Sequence, residues 1–426
     1  MNDASQPRKA RGKMLPAGIL ATALFALLAF APFASAASDP VGGGTTTVTL
    51  NGGWTNYLKT FGIKVQKEGS AKLKGQKATF KNTGGSVDPT TGLGEVTLGG
   101  GLKFKAGKKS APVKGLVLNT KKKALFAKVG GKKVKFATVA GWSQTRKGFG
   151  VNLTVKKLKL TNAAATNLNK KLGYAQGKPK PFLKNKLIGK GASEVQPGTV
   201  TVLPVGNMTF SGSPVLLEKL SNVKVALQPL GLTQQTGSVF TGPILGGTVS
   251  PTGTAGTVQS GIGINMIQKL PTGPSTEIAT TITLGGMYVD LAAKTATVEV
   301  IATSNAESEG KKPLDLGNLG RSSIADIVLT GVTADPTTRT VAINAAGVLQ
   351  PISAEVLQGF VSVYKGYAEQ VTYLKVKAEA EGGGKTPEEA DADGKAAAKV
   401  AGEEAAKNKI SAGEALGTFS FTAQSQ

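Results

Sequence analysis

The stretch Lys114–Thr138, KGLVLNTKKKALFAKVGGKKVKFAT, decides the fold class. Leu116 and Leu118 alternate with their neighbours, and Thr120-Lys121-Lys122-Lys123 turns the chain. Leu125, Ala127 and Val129 then point one way, and Val134, Phe136 and Thr138 do the same on the return. A period of two is the signature of a strand with one buried face. Between the last two runs, Gly130-Gly131 suits the two-residue hairpin turn that needs positive φ at both positions. Working outward, Phe149, Val151, Leu153 and Val155 keep the same period, as do Leu158 and Leu160. The 57 glycines supply further turns. An all-β chain with a few short helices is expected.

The helices announce themselves by a different spacing. Trp54, Tyr57, Leu58 and Phe61 fall on one helical face, and Gly62 follows where a C′ glycine is expected. Thr161 or Asn162 caps a second short helix carrying Ala165, Leu168 and Leu172, stopped by Gly173. Val356, Phe360, Val363, Tyr367, Val371 and Leu374 predict a longer helix over 353–377. An Ala/Lys/Glu-rich segment, 376–406, reads as a solvated insertion, partly helical or disordered. An extended loop is expected over 304–318.

The second half repeats the first. Gly84-Gly85-Ser86-Val87-Asp88-Pro89-Thr90 is echoed by Gly246-Gly247-Thr248-Val249-Ser250-Pro251-Thr252. Lys114 to Asn119 is echoed by Gly285 to Asp290, Leu160 to Leu168 by Leu349 to Leu357, and Lys184 to Leu187 by Lys407 to Ile410. The order is kept, so the expected architecture is two tandem sandwich- or barrel-like modules, 45–196 and 197–426, the second lengthened by a C-terminal helix and the 376–406 insertion. A repeat of this length is a duplicated domain, not a solenoid unit.

Ahead of both modules, Arg8, Lys9, Arg11 and Lys13 precede an apolar run from Met14 to Phe33 that closes on Ala34-Ser35-Ala36. This is the pattern of a secretory signal over 1–36. A retained membrane anchor is the competing reading. Cleavage is favoured by the small residues and by the polar Ser38-Asp39-Pro40 behind them. The chain is therefore expected outside the cytoplasm, at the cell surface or wall.

The 426 residues contain neither cysteine nor histidine. That removes thiolate chemistry, the commonest metal ligand and the commonest general base. A binding protein is expected, not an enzyme, and no metal site is assigned. Charge is uneven. Residues 51–200 hold 31 Lys and Arg against four carboxylates, a net of +27, while 201–426 hold 16 against 20, a net of −4.

Several features together resemble a known family. They are the short aromatic helix Trp54–Phe61, then Gly84-Gly85-Ser86-Val87-Asp88-Pro89, then the glycine-led strand Gly99-Gly100-Gly101-Leu102-Lys103-Phe104. The hairpin around Leu116 and Leu125 follows, and Leu160-Thr161 leads into an Ala- and Asn-rich helix. This order is similar to that of the HtaA domain, the haem-transport-associated module of secreted and surface bacterial proteins, here in two copies. The resemblance implies an all-β module with a haem pocket near the first helix, and partners that are haem or haem proteins. It also implies a tyrosine as axial ligand with a histidine supporting it. The family's opening pattern would place that tyrosine near Ile63, whereas Tyr57 comes earlier. Leu216, Leu217 and Leu220 fill the equivalent stretch of the second module, and the supporting histidine has no counterpart.

Tyr57, with Trp54 and Phe61 beside it, is thus the candidate haem site, as a tyrosinate on ferric iron. The competing role is packing on the helix face, favoured because a tyrosinate needs a partner to lower a pKa of about 10. Met208, Met266 and Met287 sit in apolar strand contexts and read as core filling. Lys103 and Lys105 flank Phe104, Lys133 and Lys135 flank Val134, and Lys157 and Lys159 flank Leu158. Alternation puts these lysines on one face and the apolar residues on the other. A lysine field of this density attracts polyanions with steep salt dependence. Anionic wall polymers, acidic membrane surfaces or haem propionates are the expected partners. Specific nucleic-acid recognition is not, because Arg146 is the sole arginine there and the aromatics do not interleave with the lysines. Gly107-Lys108-Lys109-Ser110, Gly261-Ile262-Gly263 and Asp391-Ala392-Asp393-Gly394 each fall short of a nucleotide or calcium loop.

Overall fold

The computed structural model describes residues 38–174, 179–306 and 316–426. The signal segment 1–36 and most of the 304–318 loop lie outside them. The first half runs β1 (Asp39–Leu50), α1 (Gly52–Thr60), β2 (Ile63–Glu68), β3 (Lys72–Lys74), β4 (Lys77–Val87), β5 (Gly94–Ala106) and β6 (Lys109–Asn119). It continues through β7 (Ala124–Val129), β8 (Lys132–Lys147), β9 (Gly150–Leu160), α2 (Asn162–Leu172) and β10 (Leu187–Pro197). Strand order β5-β6-β7-β8-β9-β10-β1-β4, with β4 returning to β5, closes an antiparallel barrel and leaves it no free edge.

The second half runs β11 (Val200–Val202), β12 (Asn207–Gly212), α3 (Pro214–Asn222), β13 (Val225–Pro229), β14 (Gln234–Thr236), β15 (Val239–Val249) and β16 (Gly256–Ser260). Then come β17 (Ile264–Gly273), β18 (Thr276–Asp290), β19 (Thr295–Ser304), β20 (Gly317–Asp335) and β21 (Thr340–Leu349). The helices α4 (Pro351–Gly382) and α5 (Pro387–Ala406) precede the last strand, β22 (Ala415–Gln424). Its ring is β15-β12-β22-β21-β20-β19-β18-β16, closing on β15.

The two barrels match strand for strand. A short helix follows the first strand of each ring. The strand behind that helix pairs outside the ring, β2 on β5 and β13 on β17. The repeated glycines explain their own spacing. At Gly85 (φ +107°) and Gly247 (φ +129°) a Cβ would meet a carbonyl oxygen at 2.1 Å, that of Glu95 or of Thr257. No side chain fits at either place. Three of the four sequence echoes are structurally equivalent. The fourth is not. Ile410 donates its N–H to Gln358 as Phe182 does to Asn169, so Ile410 corresponds to Phe182 and not to Leu187.

Alternation also fails at one point. Val134, Phe136 and Thr138 do not share an inner face, because the β7–β8 register shifts between Leu125 and Phe126. Phe136 and Ala137 are both buried, and Val139 takes the inward place expected of Thr138. The 376–406 segment is the far end of α4 and the whole of α5. These pack as a helical hairpin, with Tyr373 donating to Asp391 at 2.6 Å and a Thr386–Glu389 capping box starting α5. Asp391 also pairs with Lys395 and Asp393 with Lys385, so neither belongs to a cation loop.

One end of the first barrel plugs into the second. Phe149, from the β8–β9 turn, is buried in the second hydrophobic core. Arg146 donates to the carbonyl of Gln426. Asp39 accepts from Thr201 N at 3.1 Å and Thr201 Oγ1 at 3.3 Å. Burial raises the Asp39 carboxyl above its ordinary 3.8, against the pull of the Thr201 bonds. A folded state that holds this proton more tightly than the unfolded chain loses stability as pH rises through the raised value. Asp39→Asn keeps an acceptor oxygen and removes the charge. It is expected to melt above wild type at pH 7, and the gap should close below about pH 3.8, as thermal melts at both pH values will show.

Candidate functional site

The other end of the first barrel carries the helices. Leu50, Lys77, Leu160 and Leu187 all end or begin strands there, together with the β5–β6 and β7–β8 hairpins. Asn51 caps α1 by accepting from Trp54 N at 2.9 Å. Thr161 caps α2, and Gly173 ends it in the left-handed conformation at φ +80°. Both helices close the barrel mouth with their apolar faces.

The stripe expected on α1 splits in two. Trp54 and Leu58 are wholly buried. Trp54 stands edge-on to Phe104 (5.9 Å between centroids) and Phe182 (6.3 Å). Its indole N–H finds no acceptor among the described residues. Tyr57 and Phe61 stay on the outer shoulder, half-buried, with ring centroids 5.2 Å apart. Tyr174 completes this outer group. Its ring lies 6.0 Å from Phe61, and its hydroxyl donates to the Phe61 carbonyl at 2.9 Å. Sequence reasoning missed Tyr174, because it sits past the end of α2 and its contact spans most of the module. Tyr57 therefore packs with Phe61 as expected, but not with Trp54.

Ammonium groups ring this shoulder. Lys186 Nζ lies 5.8 Å from the Tyr57 ring centroid, within cation–π range. The Lys171 stem lies against the Gly130 turn, and Lys109 reaches Gly173. Lys103 and Lys105 stand at the pole end of β5, Lys133 and Lys135 at the start of β8, and Lys157 and Lys159 at the end of β9. These pairs do not share one flat face. β6 and β7 separate β5 from β8, and the closed ring carries the lysines around its outside. What they share is height along the barrel. Lys114, Lys128 and Lys133 stand directly opposite one another across β6, β7 and β8.

The carboxylates are sorted the other way. Asp39, Asp88, Glu95 and Glu194 lie toward the end that meets the second barrel. Glu68 alone among the described carboxylates sits near the lysine pole, held by Lys114 at 2.7 Å and Lys103 at 3.4 Å. The Lys114 hydrogen bond keeps its carboxyl below the ordinary 4.5. One of the six flagged lysines, Lys103, is thus partly neutralised. Among the described residues the second barrel has no equivalent pole. Met208, Met266 and Met287 are buried in its core, as read from the sequence.

No known family model matches the sequence, and no curated protein does. Solved structures to which the chain is similar include the C-terminal domain of HtaA from Corynebacterium glutamicum, at 12% identity and a TM-score of 0.28. That alignment covers 37% of this chain and 99% of that one. The haem-binding protein HtaB of the same organism aligns at 13% identity and 0.31, covering 54% and 95%. The N-terminal domain of HtaA aligns at 13% and 0.31, covering 52% and 98%. At that identity and score the likeness carries no argument, and the chain's own residues must carry the function.

Proposed function

We propose that this chain is a secreted or wall-associated HtaA-like binding protein whose lysine-covered pole captures an anionic ligand outside the cytoplasm. Haem is the ligand that the sequence resemblance implies. The observation that carries the reading is the sorting of charge along the first barrel: ammonium groups gather at the free helical end, and carboxylates gather at the end docked on the second barrel. Such a pole raises the local concentration of anions and steers them in. The Tyr57–Phe61–Tyr174 group offers a flat macrocycle an apolar edge, and the surrounding lysines suit its two carboxylates. Tyr57 is the side chain that would meet the iron. The barrel interior behind it is filled by Trp54, Phe104 and Phe182, so the outer shoulder is where haem would lie. Nothing in this reading requires catalysis.

A second reading rests on the number of lysines, which exceeds what two propionates need. A wall polymer bearing phosphates or carboxylates would engage many of them at once. Among the described residues no helix is long and apolar enough to cross a membrane, so a non-covalent grip on such a polymer would serve as an anchor.

Haemin titration separates the two. A saturable Soret change, weakened by salt and abolished in Tyr57→Ala, is the expected result. No saturable change would remove haem and leave the polymer reading in place.

A further inference from the structure

A cleft opens where the two barrels meet, with a cavity volume of about 680 Å³. Its floor is the outer face of β9 and β10 at the docked end of the first barrel. Val151 and Val195 turn inward and are buried, so Asn152, Glu194 and Gln196 turn out. Asn152 stands directly opposite Glu194, and Lys147 Nζ lies 2.8 Å from Glu194 Oε1. Two turns of the second barrel make the facing wall, Pro251-Thr252 from β15–β16 and Pro336-Thr337 from β20–β21. Both turns are tied down. Ser250 Oγ accepts from Thr254 N at 3.0 Å and from Ala255 N at 3.1 Å. Asp335 accepts from Thr337 N at 2.7 Å and from Thr338 Oγ1 at 2.8 Å. The β8–β9 turn closes one side, where a Cβ on Gly148 would lie 3.0 Å from Pro336. Phe149, buried in the second core, pins the two walls together.

We propose that this cleft binds a short neutral oligosaccharide. The size falls within the usual range for small-molecule sites, roughly 300–1,000 Å³, and such sites favour domain junctions. The lining decides the class of ligand. Its charges cancel, since Lys147 and Glu194 pair with each other, so a polyanion finds no surplus cation here. A peptide strand finds no edge to extend, because β9 is paired with β8 and β10, and β10 with β1. What remains is recognition by neutral side chains. The amides of Asn152 and Gln196 make no side-chain hydrogen bond among the described residues. Each offers donors and an acceptor together, and sugar hydroxyls, which also do both, match that mixture. The rings of Pro197, Pro251 and Pro336 give the C–H faces of a pyranose an apolar surface to cover. Walls held in place beforehand spare the complex the cost of ordering them. Neither barrel carries both walls, so the site exists only in the tandem chain. It shares no residue with the lysine pole, and the two can fail separately.

The test uses the full chain, titration calorimetry and three uncharged trisaccharides: maltotriose, cellotriose and triacetylchitotriose. At least one is expected to bind saturably. Asn152→Ala and Gln196→Ala each remove one amide from the outer face of the barrel. Each should weaken that binding about tenfold while the melting temperature holds. Affinity should stay constant across a salt series, because an uncharged ligand releases no counterions. Sugar binding by a protein that shows no Soret change with haemin would uphold this site and remove the haem reading alone. No saturable heat with any of the three sugars, equal affinity in wild type and both variants, or an affinity that falls with salt would each overturn the proposal.

Discussion

Trp54→Ala is expected to remove about 3–5 kcal/mol of stability, the usual cost of deleting a fully buried indole. Trp54 is 1% exposed and stands edge-on to two buried phenylalanines, so truncation leaves a cavity where α1 meets the barrel. The aromatic pairing adds about 0.5–1.5 kcal/mol per contact beyond the area buried. Trp54→Phe makes the contrast. It keeps a ring in the slot and removes an indole N–H that has no acceptor among the described residues. An orphaned buried donor costs about 1–3 kcal/mol. The phenylalanine variant should therefore lose far less than the alanine variant in urea melts. Equal losses would mean that the N–H, not the ring, holds α1 in place.

The fold was legible because alternation survives barrel closure. Strands bury one face whether the sheet is flat or closed, so Leu116, Leu118, Leu125, Ala127 and Val129 announced their side correctly. Alternation could not show the bulge at Phe136, where one extra residue shifts the inner face. The duplication was legible through glycine, since Gly85 and Gly247 sit where a Cβ would strike a carbonyl. It misled at Lys407–Ile410, where the exposed lysines resemble those of Lys184–Leu187 but the buried Ile410 takes the place of Phe182.

The candidate site was half legible. Lysines beside Phe104, Val134 and Leu158 were correctly read as outward. Their gathering at one end was not, because height along a barrel depends on which hairpins share a pole. Tyr174 was missed for the same reason: a contact with Phe61 across the module leaves no local trace.

In the proposed function, position and not number makes the first barrel's lysines act. Two triple variants carry equal charge loss. One neutralises Lys109, Lys171 and Lys186 at the helical pole, and the other Lys121, Lys122 and Lys123 at the opposite, β6–β7 turn. All six are exposed, so both proteins should fold. Affinity for inorganic polyphosphate, measured across a salt series, reads how many ammonium groups engage the chain. Each engaged contact contributes roughly 0.7 to the slope of log affinity against log salt for a flexible single strand. The pole variant should lose about 2 units of slope by that measure, and the turn variant almost none. Equal losses in the two variants would contradict the claim.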